Sequence, residues 1–180
     1  MAFNAYIVFE DPIIIGESDP TDYKELSGTR PVQMDSYEFA TTMAVPALRS
    51  DSGAGTSGRG KFESFKFSKR VDTASPILSY HAAAGTVFKL VTVSLYFDTQ
   101  DSGSSTRTPI RVLEMKMNQA VISETSIKGA SGDDLPAEDI TLNFGSIEFK
   151  YQSVNPETGQ AGTKRSQFTW SALKNTGNKA

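Results

Sequence analysis

The run Gly53-Ala54-Gly55-Thr56-Ser57-Gly58 satisfies the GxGxxG spacing of a dinucleotide loop, and Gly55 through Gly60-Lys61 satisfies the GxxxxGK spacing of a P-loop. Both patterns hold phosphate through the free N–H groups of a helix that begins directly after them. Here the residues from Lys61 to Lys69 alternate like a strand, and Phe62 stands where a P-loop needs Ser or Thr for magnesium. The glycines are therefore read as a flexible loop and not as a phosphate cradle. His81 is the only histidine, which removes any two-histidine metal site within one chain. No GxSxG elbow is present to seat a Ser–His–Asp triad, and His81 is expected to pack on a helix beside Ala82–Ala84. Asp133, Asp134, Glu138 and Asp139 fall close together, but their spacing fits neither an EF-hand nor an opposed carboxylate pair, so a solvated loop is expected. Trp170, the single tryptophan, is assigned to core packing at the end of the last strand. No enzyme activity, cofactor or metal is expected from these residues.

The elements that would position such residues are mostly strands. Hydrophobic residues at 38% and charged residues at 22% suit a folded domain. A chain of 180 residues is expected to form one domain over 1–173, with a polar tail at 174–180. The 14 glycines and 8 prolines, with few helical patterns, favour a β-rich fold. A net charge of -3 supplies no basic field for nucleic acid. The N-terminus lacks a basic region before its apolar run, which speaks against a Sec signal peptide, and no apolar run approaches the ~20 residues that span a bilayer.

Phe3–Phe9 reads as a strand, Pro31–Thr42 as a second with imperfect alternation, and Met43–Gly60 as a long loop without periodicity. After it, Phe62, Ser64, Lys66 and Ser68 alternate with Glu63, Phe65, Phe67 and Lys69. The sequence predicts one short helix over 75–84. Ser75 is placed at its N-cap, Pro76 in its first turn and Gly85 at its stop, and Ile77, Leu78, Tyr80, His81 and Ala84 form an apolar stripe. Strands follow over Thr86–Asp98, Ile110–Glu124, Glu138–Tyr151 and Lys164–Trp170. In the third of these, Leu142 and Phe144 are out of phase with Ile147, Phe149 and Tyr151, so a bulge or bend is expected at Gly145. Such bends help a sheet to curl.

Lys61–Tyr80 (KFESFKFSKRVDTASPILSY), Glu138–Tyr151 (EDITLNFGSIEFKY) and the closing FTWSALKNT (Phe168–Thr176) carry a family resemblance. With them go an early GES at Gly16–Ser18 and a long Gly/Ser-rich loop before Lys61. In this order and spacing the chain resembles the Hcp (haemolysin-coregulated protein) family, the secreted inner tube of bacterial type VI secretion systems. The resemblance implies a small β-barrel of two packed antiparallel sheets with one flanking helix, at 75–84 here. It implies six-membered rings that stack into a tube, with sheath and spike or baseplate proteins as partners and effector proteins in the lumen. It also implies assembly in the bacterial cytoplasm, then export without a Sec signal, and neither nucleic-acid binding nor membrane insertion.

The loop at 43–60 corresponds to the family's ring-to-ring contact. On that basis Val45 and Leu48 are expected as apolar anchors, and Arg49, Asp51 and Arg59 as polar contacts. Asp133 and Asp134 are candidate partner carboxylates on the next ring. The loop is longer than in relatives and bears Pro46, Arg49 and Arg59. IIIGESDPTDYKEL also stands where relatives often carry a histidine. Two alternatives stay open from the residues alone: a phage-type tail tube protein of another contractile system, and a monomeric β-barrel ligand-binding module.

Overall fold

The computed structural model describes residues 3–43, 60–100, 107–132, 135–155 and 160–179. β1 (Phe3–Glu10) alternates so that Ala5, Ile7 and Phe9 enter the core. It pairs antiparallel with β7 (Val87–Gln100), from Phe3 opposite Phe97 to Glu10 opposite Leu90. β7 in turn pairs along its whole length with β8 (Arg107–Lys128), a strand of 22 residues. The other side of β8 is shared. β9 (Ala137–Asn143) lies against Val121–Lys128, and β10 (Ser146–Val154) lies against Leu113–Asn118.

The expected single strand over 138–151 is therefore two strands set end to end. Gly145 sits in the bend between them, with its N–H donating to the Asn118 carbonyl at 3.0 Å. Opposite the bend, Gln119 of β8 takes a positive φ of 53°. Both chains thus deform at one level, and inward parity changes there too. Ala120 and Ile122 are buried on one side of it, Met115 and Met117 on the other.

From this level the sheet branches. One arm continues from β10 to β11 (Ala161–Ser171) and β12 (Thr176–Lys179). The other runs from β9 to β6 (Phe65–Arg70) and then to β3 (Ser36–Glu38). β2 (Val32–Met34) pairs with β1. The strand expected over 31–42 is broken at Asp35, whose N–H donates to the Ser68 carbonyl at 2.8 Å. There the chain leaves β1 for β6.

The expected mainly β fold of antiparallel sheets with one flanking helix holds, but the barrel is not closed. Among the described residues there is one curled ten-stranded sheet and a separate two-stranded ribbon, β4 (Thr41–Met43) with β5 (Gly60–Phe62). The sheet does not close, because β2 pairs only with β1 and β3 only with β6. The expected polar tail also contains a strand, β12, exposed throughout.

The helix α1 (Ser75–Ala84) has the predicted bounds, with Pro in its first turn and Gly85 in the left-handed conformation (φ 61°) that favours glycine. Its apolar stripe is narrower than expected. Leu78 and the preceding Ala74 are fully buried, whereas Ile77 and Tyr80 are exposed. No helix among the described residues is long and apolar enough to cross a membrane.

Ser75 is not the cap. The N-cap is Ala74, whose N–H is taken by Asp72 Oδ1 at 2.9 Å. The Ser75 hydroxyl instead accepts from Lys69 Nζ (2.9 Å) and donates to Glu138 Oε2 (2.6 Å). Glu138, expected in a solvated loop, is fully buried on β9. Lys69 is buried as well, 3.0 Å from Glu138 and 2.7 Å from Asp72. Its remaining donor reaches the Arg70 carbonyl. Such a buried pair adds little net energy, but removing one partner strands the other charge in a dry site. It ties the start of α1 to β6 and β9 at once.

The opposite face of β1 and β7 carries Tyr6 and Tyr96, which the segment 17–31 covers with Tyr23 and Leu26. The tyrosine rings meet edge-on, Tyr23 and Tyr96 at 4.6 Å. Asn4 donates to both Tyr23 and Asp98, and Tyr23 donates to Asp98 at 2.9 Å. Burial, and then the neighbouring Glu25, push the Tyr96 hydroxyl up to about 12. Burial raises Tyr23 and Tyr6 as well.

Two outcomes follow from these contacts. In urea unfolding, Lys69→Met should cost about 3–5 kcal/mol, whereas Lys69→Met with Glu138→Leu should recover most of the loss. A single variant as stable as wild type would show that the pair does not anchor α1. Because the tyrosines are raised in the fold above their free value of about 10, their contribution is complete below that pH. It is lost as pH climbs through about 12. Tyrosinate absorbance followed beside circular dichroism should show late titration coincident with unfolding. Titration of all six tyrosines near pH 10 with the fold intact would contradict it.

Candidate assembly surfaces

The ring-stacking residues expected from the sequence, Val45, Leu48, Arg49, Asp51 and Arg59, lie outside the described residues, as do Asp133 and Asp134. The structure does describe what the 44–59 segment springs from. Met43 and Gly60 are cross-strand partners in the β4–β5 ribbon, as are Thr42 with Lys61 and Thr41 with Phe62. The two ends of the segment thus leave the fold side by side. At the foot of the ribbon, Glu63 accepts from Thr42 Oγ1 (2.9 Å) and Lys61 Nζ (3.1 Å), which together hold its carboxyl below the usual range. The N–H of Glu63 also donates to the Ala40 carbonyl.

Beneath the ribbon lies an aromatic layer that the alternation pattern did not reveal. Phe62 stacks on Phe39 (5.8 Å between ring centres) and on Phe168 (6.0 Å). Phe168 stacks on its cross-strand partner Phe149 at 5.5 Å. Phe39 reaches Phe149 and Phe144, and Phe62 reaches Trp170. Trp170 is partly buried against the core, as expected for packing at the end of a strand. Gly177 of β12 passes so close to Trp170 and the Thr169 carbonyl that a side chain there would collide with both. Stacked rings of this kind add about 0.5–1.5 kcal/mol per pair beyond their buried area. The layer therefore holds the ribbon on β10 and β11 at a defined angle.

The remaining candidate residues are structural in their contacts. His81 Nδ1 lies 2.9 Å from the Thr86 hydroxyl, and its ring meets Phe88 edge-on at 5.3 Å. Asp139 is paired with Lys128 on the surface. Ser75 with Lys69 has the residue types of a nucleophile and its base, but the hydroxyl is bound to a carboxylate and buried, so no substrate atom can approach it. Among the described residues, no three His, Cys, Asp or Glu side chains gather to hold a metal.

The face of β8 and β10 away from the core is charged. Glu114 takes Arg111 (2.9 Å), Lys116 (3.8 Å) and Lys150 (3.5 Å) around one carboxylate, and Lys150 also reaches Glu148 at 2.9 Å. The Glu148 hydrogen bond is the main cause that raises Lys150. This surface offers fixed charge.

Comparison with known proteins accounts for a site made only of surfaces. The family described as type VI secretion system effector, Hcp, matches residues 6–151. No curated protein matches the chain. Among solved structures, one titled a type six secretion system protein is 23% identical, with a TM-score of 0.79, covering 98% of this chain and 100% of that one. Hcp1 from Salmonella typhimurium is 16% identical with a TM-score of 0.69, covering 99% of this chain and 100% of that one. Hcp1 from E. coli EAEC 042 is 14% identical with a TM-score of 0.64, covering 99% and 98%. These likenesses establish the fold, curled sheet and single helix together. The family match, spanning most of the sequence, establishes more: the chain belongs to the Hcp family of the type VI secretion system.

Proposed function

We propose that this chain is the structural tube subunit of a type VI secretion system, forming hexameric rings that stack into the inner tube and carry effector proteins. The family match over residues 6–151 carries the reading. The described residues supply its physical counterpart. The polar side chains they bring together are bound to one another inside the fold, while a two-stranded ribbon and an uncovered sheet arm stand outside it. Uncovered β edges are a liability unless a partner takes them, and a tube subunit has such partners on every side. The role is structural, not catalytic. Its further partners are sheath and spike or baseplate proteins, and it passes from the cytoplasm to the exterior through the machine it builds.

Within that role the segment at 43–60 makes the ring-to-ring contact. Val45 and Leu48 supply apolar anchors, and Asp51 adds a polar contact. Arg49 and Arg59 face carboxylates such as Asp133 and Asp134 on the next ring. Exposed ion pairs are worth about 0–1 kcal/mol each, so the contact works through register and number. The aromatic layer around Phe62 anchors the ribbon from which the segment springs.

Negative-stain microscopy of the purified protein should show six-membered rings at high concentration. Shortening Asp51–Gly58 should leave rings intact but abolish stacked tubes and export. Phe62→Ala should weaken tubes more than rings, because it removes the stacking on Phe39 and Phe168 that seats the ribbon. Tubes and export at wild-type levels in the shortened protein would remove the segment from the stacking contact.

A further inference from the structure

One arm of the sheet is left open. β12 covers β11 only from Phe168 to Ser171, so the outer edge of β11 from Ala161 to Gln167 has no neighbouring strand among the described residues. Both faces of β11 are largely exposed and β12 is exposed throughout. This arm is basic. Lys164, Arg165, Lys174 and Lys179 are exposed, and no acidic side chain occurs from Gln160 onward. None of the four joins an ion pair with the described residues.

The other end of the strand order, β12-β11-β10-β8-β7-β1-β2, has the opposite sign. Directly after β1 come exposed Asp11, Glu17, Asp19, Asp22 and Glu25, against two exposed cations before β2, Lys24 and Arg30. None of these carboxylates joins an ion pair with the described residues. Each end also carries exposed apolar side chains. Ile13 and Ile15, 70% and 56% exposed, sit on the acidic end, and Leu173, 75% exposed, sits on the basic one. Apolar residues ringed by charge have the composition of an interface.

We propose that the subunit-to-subunit contact within the ring is made by this complementarity. The basic β11–β12 arm of one copy docks on the acidic segment between β1 and β2 of the next copy. The inference rests on the ring reading above and adds which surfaces meet. Two unlike patches at the two ends of the strand order give a head-to-tail contact, the kind that closes into a ring when the rotation allows. Opposite charge fixes the pairing and suppresses the back-to-back alternative, in which like charges would meet. Edge lysines also serve elsewhere as guards against unwanted strand pairing. A guard works with either sign of charge, whereas this contact needs the signs that are present.

The test is sedimentation velocity on the full chain across concentration, with circular dichroism to confirm folding. Four proteins are compared: wild type, Lys164→Glu with Arg165→Glu, Asp19→Lys with Asp22→Lys, and the variant carrying all four changes. Each one-sided reversal should raise the concentration at which rings dissociate by on the order of tenfold or more, and the combined variant should recover much of the loss. Wild-type rings should also weaken as salt rises from about 0.05 to 0.5 M, which reads the contact without any substitution. Rings of unchanged stability in both one-sided variants would overturn the proposal and leave the lysine and arginine as edge guards. Losses on one side that the combined variant does not restore would overturn it as well. Wild-type protein that stays at 19.5 kDa at every concentration would instead refute the ring itself.

Discussion

The fold depends on a single strand having to satisfy two neighbours on one side. β8 pairs with β7 over its length, but its other edge is divided between β9 and β10. The division falls where Gln119 adopts a positive φ and the facing chain bends at Gly145. A flat strand could not serve both, because the side-chain period of two would put one half of its apolar residues on the wrong face. The paired deformation resets that parity and turns Met115, Met117, Ala120 and Ile122 all into one core. The two arms then go their own ways. The β9–β6–β3 arm curls back toward β2, and the β10–β11–β12 arm stays open.

The curled arm is where the interior is secured. Lys69, Ser75 and Glu138 come from β6, the start of α1 and β9, and meet in a site closed to water. Their value lies in specificity of position more than in net energy, since a charge without its partner there would be intolerable. The open arm is where the interior runs out. Its aromatic layer carries the β4–β5 ribbon, and its last strands are exposed on both faces. One side of the sheet thus completes a stable unit, and the other is left uncovered by the chain's own described residues.

Local signals in the sequence were legible where the structure is local. Pro76 and Gly85 mark the helix bounds by their own backbone preferences, and the phase change around Gly145 marks the bend. Misreadings arose where contacts span long stretches of chain. Ser75 resembles a cap and Glu138 a loop carboxylate until Lys69 brings them together. The break at Asp35 depends on Ser68, and the open barrel depends on that break. β12 lacks apolar alternation because neither of its faces is buried, so nothing in its composition announces a strand. The aromatic layer draws on Phe39, Phe62, Phe144, Phe149, Phe168 and Trp170, whose parities match no single face of one strand. As for the assembly site, the residues inferred from family resemblance fall in the 44–59 segment and at 133–134, outside the described residues, while the ribbon that launches the first is in view.

In the tube role proposed above, the arm left open in the monomer is completed by the next copy in a closed ring. Native mass spectrometry of the purified chain at high concentration tests it most directly. A dominant species of six times 19.5 kDa is expected, with no ladder of intermediate sizes. A spectrum holding only the 19.5 kDa monomer, or a continuous series without a closed member, would contradict it.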